Sequence, residues 1–300
     1  MNTGKRHVRA QIVNGFVTNS QGGNPAGIVL NADEYNEADM LKIAQRVGLS
    51  ETAFVSESST EAFKLDFFTP NRRIAHCGHA TIATFSYLAE MGLVNEGNSS
   101  KETVDGPRKI IIKDGAAYME QLAPQYSQSS GWLTKGVTTD DILSSLNISE
   151  NKLHHDAPIT LVNTGNSFII VGVESGEVLK SIRPNFEAIS AISDKLDLIG
   201  YYVFTVDSSA TDHDATTRMF APRFAIEEES ATGMAAGPLA CYLRDYLNIN
   251  KQTLHIEQGT YMKPASTSLI SVDLNSVEGE VVGLMAGGYG KVMRSLDIYI

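Results

Sequence analysis

The passage Phe67-Phe68-Thr69-Pro70-Asn71-Arg72-Arg73-Ile74-Ala75-His76-Cys77-Gly78-His79-Ala80-Thr81 has a counterpart in the second half of the chain, where Met219-Phe220-Ala221-Pro222 leads to Thr232-Gly233-Met234-Ala235-Ala236. In both, an apolar strand-like run stops at a proline. The chain then passes through a glycine into a helix-like run of small and apolar residues, Ala80 to Glu90 in the first copy and Met234 to Tyr242 in the second. An earlier pair appears in the same order. Gly23-Asn24-Pro25-Ala26-Gly27-Ile28-Val29-Leu30 and Gly165-Asn166-Ser167-Phe168-Ile169-Ile170-Val171-Gly172 both run from a turn into an apolar strand. Between the two members of each half lies a helix-to-strand passage, Met40 to Val47 into Thr52-Ala53-Phe54-Val55, and Ala188 to Leu196 into Tyr201 through Val206. Agreement in order and content predicts an α+β unit written twice.

Working outward, the halves divide near Leu122-Ala123-Pro124-Gln125-Tyr126. The strand-like run Ala116 to Leu122 ends there at a proline that cannot donate to a central ladder. The expected lobes are residues 1–124 and 125–289, and the alternating run Lys291 to Ile300 reads as a strand that returns to one of them. With 300 residues, 42% hydrophobic and 20% charged, the chain has ordinary globular composition. No run of 18 apolar residues occurs, and the basic start Met1 to Val13 carries no apolar stretch, so neither a membrane span nor a secretory signal is expected and the reading is cytoplasmic. The two cysteines, Cys77 and Cys241, form no disulfide framework and no CxxC pair, so no metal site is expected. A net charge of −11, with no basic cluster beyond Lys5-Arg6 and Arg72-Arg73, argues against a nucleic-acid partner.

Both glycine-led helix starts leave backbone N–H groups without intrahelical acceptors, and Gly78 and Gly233 permit close approach of a ligand. Duplicated, they suit the carboxylate of a small anionic metabolite held in a cleft between the lobes. The plainer alternative is tight helix–strand packing. Glu51, in Gly48-Leu49-Ser50-Glu51-Thr52-Ala53-Phe54-Val55, lies between a helix end and an apolar strand. A partly desolvated carboxylate there serves as an acid/base, whereas a solvated one is only a loop residue. His79 stands in the first helix start, where it either exchanges a proton or packs as a cap. In the run Glu227-Glu228-Glu229, Glu229 is the residue placed to face inward before the second helix. Cys77 precedes Gly78, where a helix start draws a thiol toward thiolate unless it is a small buried residue; Thr232 holds the equivalent place.

These segments resemble the PhzF-like phenazine-biosynthesis family, which has the diaminopimelate-epimerase fold. The likeness runs through Asn24-Pro25-Ala26-Gly27-Ile28-Val29-Leu30, Ser50-Glu51-Thr52-Ala53-Phe54-Val55, Phe68-Thr69-Pro70 and Cys77-Gly78-His79-Ala80-Thr81 in the first half. It continues through Arg218-Met219-Phe220-Ala221-Pro222, Ala231 through Leu239, Glu257-Gln258-Gly259 and Lys263-Pro264-Ala265-Ser266. The resemblance implies two pseudo-symmetric lobes, each a β-barrel-like sheet wrapped around a central helix. It also implies a homodimer and no metal or organic cofactor. Glu51 matches the glutamate that moves a proton in the phenazine-forming member, and Asn24, Gly78 and His79 fall among substrate-binding positions. Glu229 stands where that enzyme has an aspartate, and Met234 where it has a serine. The extra methylene and the lost hydroxyl point to a different substrate.

The resemblance therefore implies a cofactor-independent isomerase with Glu51 as general acid/base, His79 and Glu229 handling protons on substrate heteroatoms, and Gly78, Gly233 and Met234 binding the acid. One alternative is a Cys77-dependent amino-acid epimerase or dehydratase. Thr232 weakens two-thiol racemisation, because a hydroxyl pKa is too high to replace a thiolate. A metabolite-binding scaffold without chemistry is the alternative of another class.

Overall fold

The computed structural model describes residues 6–207 and 210–300. In chain order the first elements are β1 (His7–Gly15), β2 (Asn24–Val29), α1 (Glu37–Val47), β3 (Thr52–Ser56), β4 (Phe63–Phe68), β5 (Arg73–Ile74), α2 (Gly78–Glu90), β6 (Gly97–Thr103), β7 (Gly106–Lys113) and β8 (Ala116–Leu122). There follow β9 (Gln125–Ser127), α3 (Ser129–Leu133), α4 (Thr139–Leu146), β10 (Thr160–Asn163), β11 (Ser167–Gly172), α5 (Gly176–Ser181), α6 (Phe186–Leu196), β12 (Gly200–Thr205) and β13 (Ala215–Ala221). The last are β14 (Ile226–Glu229), α7 (Gly233–Leu247), β15 (Thr253–Gln258), β16 (Ser268–Val277), β17 (Glu280–Gly288) and β18 (Gly290–Tyr299). The fold is mixed α/β, rich in strand and sparing in helix. Its described residues form two compact units, 6–120 with 287–300, and 121–286.

In the first unit β1 pairs antiparallel with both β2 and β18. β2 runs parallel to β3 across α1, β3 is antiparallel to β4, and β4 is parallel to β6 and antiparallel to the short β5. In the second unit β10 pairs antiparallel with β11, and β11 runs parallel to β12 across α6. There β12 is antiparallel to β13, which is parallel to β15 and antiparallel to β14. The order of pairing is written twice.

Local chemistry explains the matching helices. Asn36 caps α1 by accepting from Asp39 N at 3.0 Å, and Asn185 caps α6 by accepting from Ala188 N at 3.1 Å. Met40, Ile43, Ala44 and Val47 bury one face of α1, and Ile189, Ile192, Ser193 and Leu196 one face of α6. Gly48 then ends α1 in the left-handed region, φ +70°. In the first unit the α1 face joins Val8, Ala10, Ile12, Val29, Phe54, Phe68 and Ile298 in one apolar cluster; the α6 face joins Ile169, Val171, Tyr201, Val203 and Phe220 in the second. Replacing one such residue, Ile43 or Ile189, by alanine costs about 2–5 kcal/mol through lost transfer energy and the cavity left.

Helices α2 and α7 differ from this amphipathic pattern. Gly78 through Ser86 of α2 are all buried, and so are Ala235 through Leu243 of α7. Such helices belong to interiors. α2 packs against β1, β2, β3, β7 and β18, and α7 against β10, β11, β15 and β16. Gly15 makes the first approach possible: a Cβ there would stand 3.0 Å from the His79 carbonyl oxygen and 3.3 Å from Ala83 N. The strand thus seats the opening turn of α2. No helix among the described residues is long and apolar enough to cross a membrane.

Candidate active site

Glu51 is the last residue before β3, and its carbonyl accepts from Gly27 N at 3.0 Å, which ties it to the parallel β2–β3 pair. Its side chain is turned in, only 8% of the residue being exposed. Cys77 is the N-cap of α2 but gives the helix no side-chain hydrogen bond. Instead the thiol lies 3.5 Å from His79 Nδ1, and His79 Nε2 lies 3.4 Å from Glu51 Oε2. Glu51 Oε2 is buried and receives no aligned hydrogen bond among the described residues, so its contact with His79 has the distance of an ion pair without hydrogen-bond alignment.

The two imidazole nitrogens thereby face different partners. Next to an ionised Glu51, the tautomer with its proton on Nε2 is favoured, which leaves Nδ1 to accept from the Cys77 thiol. The order is thiol, imidazole, carboxylate. Ligating atoms of all three residues fall within 4.8 Å of one another. Their contacts lie on opposite nitrogens of one ring, however, and a single ion takes only one of those nitrogens. The two contacts thus link thiol and carboxylate through one ring.

Of the two readings of Cys77, the small buried residue is the one found. Burial pushes its thiol up; the adjacent His79 works in the opposite direction, and Glu51 adds to the rise. Desolvation outweighs the helix start here, because almost no solvent reaches the sulfur. Asn24, also buried, opens β2 directly opposite Gly15.

In the second unit Thr232 is the N-cap of α7, and its hydroxyl donates in a short hydrogen bond to Glu229 Oε2. The three consecutive glutamates separate in role. Glu227 is exposed, and Glu228 receives both Nε and Nη2 of Arg218 at 2.8 Å. Glu229 is half-buried at the end of β14. Met234 Sδ accepts from Asn166 Nδ2 at 3.4 Å, and the Gly233 carbonyl accepts from Gln121 Nε2 at 2.8 Å.

Gln258 holds this site together, although the sequence reading placed it only within a matching segment. Its Oε1 accepts from Thr232 N at 3.1 Å and from the Tyr202 hydroxyl at 2.9 Å. Its Nε2 donates to the Glu229 carbonyl at 2.7 Å and to Thr232 Oγ1 at 3.1 Å. Only the fold reveals this, since β15 must lie beside the start of α7.

Taken with these geometries, comparison with known proteins identifies the chain as an enzyme of the isomerase class. It belongs to the PhzC-PhzF family of phenazine biosynthesis-like proteins, whose model matches residues 13–287. It is 33% identical over 278 residues to YfhB of Bacillus subtilis, an uncharacterized isomerase, covering 91% of this chain and 92% of that one. A crystal structure of the Bacillus anthracis PhzF-family phenazine biosynthesis protein superposes with a TM-score of 0.87 at 25% identity, covering 98% and 100% of the two chains. A hydroxyproline epimerase from Agrobacterium vitis, solved with trans-4-hydroxy-L-proline, shares the fold at a TM-score of 0.61 and 12% identity, with 100% and 93% covered.

Proposed function

We propose that this isomerase moves a proton between two carbons of a small carboxylate-bearing metabolite, with Glu51 as the general acid/base. The observation that carries the reading is the Glu51 carboxylate: buried, 3.4 Å from His79 Nε2, with Oε2 left without an aligned donor. A carboxylate short of donors is a better base than one already hydrogen-bonded, since nothing has to be broken when it takes a proton. Glu51 removes a proton from a carbon adjacent to the substrate's unsaturated or carboxyl group and becomes a carboxylic acid. The electron pair delocalises onto the substrate, and the same proton returns to a second carbon. His79 Nε2–H stands beside the carboxylate throughout and offsets its charge when ionised.

In this reading each unit is a lobe whose sheet wraps around its own buried helix, α2 or α7, and the Glu229–Thr232 pair binds a substrate heteroatom. The protein works without an organic cofactor, as the family resemblance implies, and as a homodimer. The test is solvent-deuterium incorporation into candidate unsaturated and cyclic acids followed by mass spectrometry. Glu51→Gln is expected to abolish incorporation with the fold intact, and undiminished exchange overturns the assignment.

A second reading is favoured by the Cys77 Sγ–His79 Nδ1 contact of 3.5 Å. With His79 as its base, Cys77 becomes the proton-abstracting group of an amino-acid epimerase or dehydratase. Loss of α-proton exchange on amino acids in Cys77→Ala selects this chemistry.

A further inference from the structure

Lys101 of β6 is 0% exposed, a rare condition for lysine unless a carboxylate accompanies it. No carboxylate does so among the described residues. Its Nζ instead donates to Thr81 Oγ1 at 2.5 Å and approaches His76 Nδ1 at 3.2 Å, while the Phe67 ring centroid lies 4.9 Å away. Thr81 has its own hydroxyl proton committed, donating to the Cys77 carbonyl at 2.6 Å. A one-way chain of donors therefore runs from the amine through the hydroxyl to the backbone of the helix cap.

We propose that Lys101 is a positioning residue of this enzyme: through Thr81 it holds the Cys77 carbonyl, and with it the Cys77–His79 contact, at the opening turn of α2. Packing alone gives no reason for an amine here, because an apolar side chain of the same length fills the space beside Phe67 without a desolvation cost. The groups that face Lys101 are few. The segment entering α2 brings His76 and Cys77, β7 brings Arg108 directly across the ladder, and β4 offers Phe63 as its pairing partner and the Phe67 ring. Burial, reinforced by Arg108, pushes the Lys101 amine down to about 7, and Cys77 works against that fall. Burial first and Lys101 second hold His76 well below the usual histidine range, so it is neutral and able to accept at Nδ1.

Only the catalytic consequence rests on the proposed proton transfer. The positional role is measurable without a substrate.

The sign of the stability effect follows from linkage. Between about 7 and the ordinary lysine value the unfolded chain carries a proton at this site that the folded chain lacks, so the site's contribution improves as pH rises through that window. Below it the folded state bears the full cost of a buried cation. Lys101→Met in the full chain is therefore expected to melt higher than the parent at pH 6, with the gain fading to nothing by about pH 10.5.

The direct test is lysine side-chain NMR of the full chain, with Lys101→Met supplying the assignment; one lysine is expected to titrate near 7. In parallel, thiolate absorbance at 240 nm is titrated with Cys77→Ala as the blank. Because His79 is what holds the thiol down against burial, loosening its contact with Cys77 is expected to raise the Cys77 half-point by at least one pH unit, a tenfold loss of thiolate at fixed pH, in Lys101→Met and in Thr81→Val. Thr81→Ser, which keeps the hydroxyl, is expected to retain the parent curve. An ordinary lysine titration at Lys101, or superimposable thiol curves in parent and Lys101→Met, overturns the proposal. A failure of the proton-transfer reading looks different: Glu51→Gln retains turnover while the thiol shift persists.

Discussion

The starts of α2 and α7 share a glycine, a buried helix and a preceding strand–proline passage, yet they treat their carboxylates in opposite ways. At α2, Glu51 Oε2 lies beside His79 with no aligned donor among the described residues. At α7, Glu229 Oε2 already accepts the Thr232 hydroxyl, and Gln258 fixes Thr232 from two sides. One start thus meets a buried carboxylate brought in ahead of β3 beside an imidazole, and the other a carboxylate from the end of β14 held by a hydroxyl. Two positions of the helix starts separate them: Cys77, whose thiol meets His79, stands where Thr232 reaches Glu229, and His79, which faces Glu51, stands where Met234 meets Asn166.

The largest expected effect breaks this contrast outright. Glu51→Gln is expected to lower kcat about 10³-fold, roughly 4 kcal/mol of barrier, with KM within a few-fold. If Glu229→Gln matches it in a side-by-side steady-state assay, the two starts are not differentiated. Next comes Gln258→Leu, which strips Thr232 N and the Tyr202 hydroxyl of their acceptor. A loss of about 3 kcal/mol by denaturant titration is expected, against less than about 0.5 kcal/mol for the exposed Glu227→Gln. Glu229→Gln keeps an acceptor for Thr232 but loses charge, and about a tenfold fall in kcat/KM, chiefly through KM, is anticipated. The smallest change sharpens the comparison. Cys77→Ser, which brings the first cap chemically close to Thr232, is expected to alter turnover by only a few-fold; a complete loss transfers the proton-abstracting role to the thiol.

Much of this architecture could be read before any coordinate. The segments from Asn24-Pro25 to Lys263-Pro264-Ala265-Ser266 carried the family, and the helix read over Met40 to Val47 lies inside α1. Glu51, Cys77 and His79 were candidates by sequence, and the structure brings their side chains into one chain of contacts. Of the two readings open for the thiol, the buried one holds, because a helix start is a local feature, whereas desolvation depends on everything that covers the sulfur.

Lys101 was illegible for the same reason. Ser99-Ser100-Lys101-Glu102-Thr103 reads as a polar strand, and alternation cannot say which parity faces inward when both faces are hydrophilic. Gln258 similarly gains its importance only from the parallel β13–β15 pairing, a contact between elements distant in sequence.

The pairing of β1 with β18, from His7 against Tyr299 to Gly15 against Gly290, has a consequence for biogenesis. On the ribosome the chain emerges from its beginning, so β1 leaves the exit tunnel long before its neighbour is made. Throughout synthesis of the second unit, one edge of the Glu51-bearing sheet stands open, with unsatisfied backbone groups and an apolar row at Val8, Ala10 and Ile12. The later unit can settle first. The half that holds Glu51 waits for β18, and until then its open edge is available to chaperones and to mispairing.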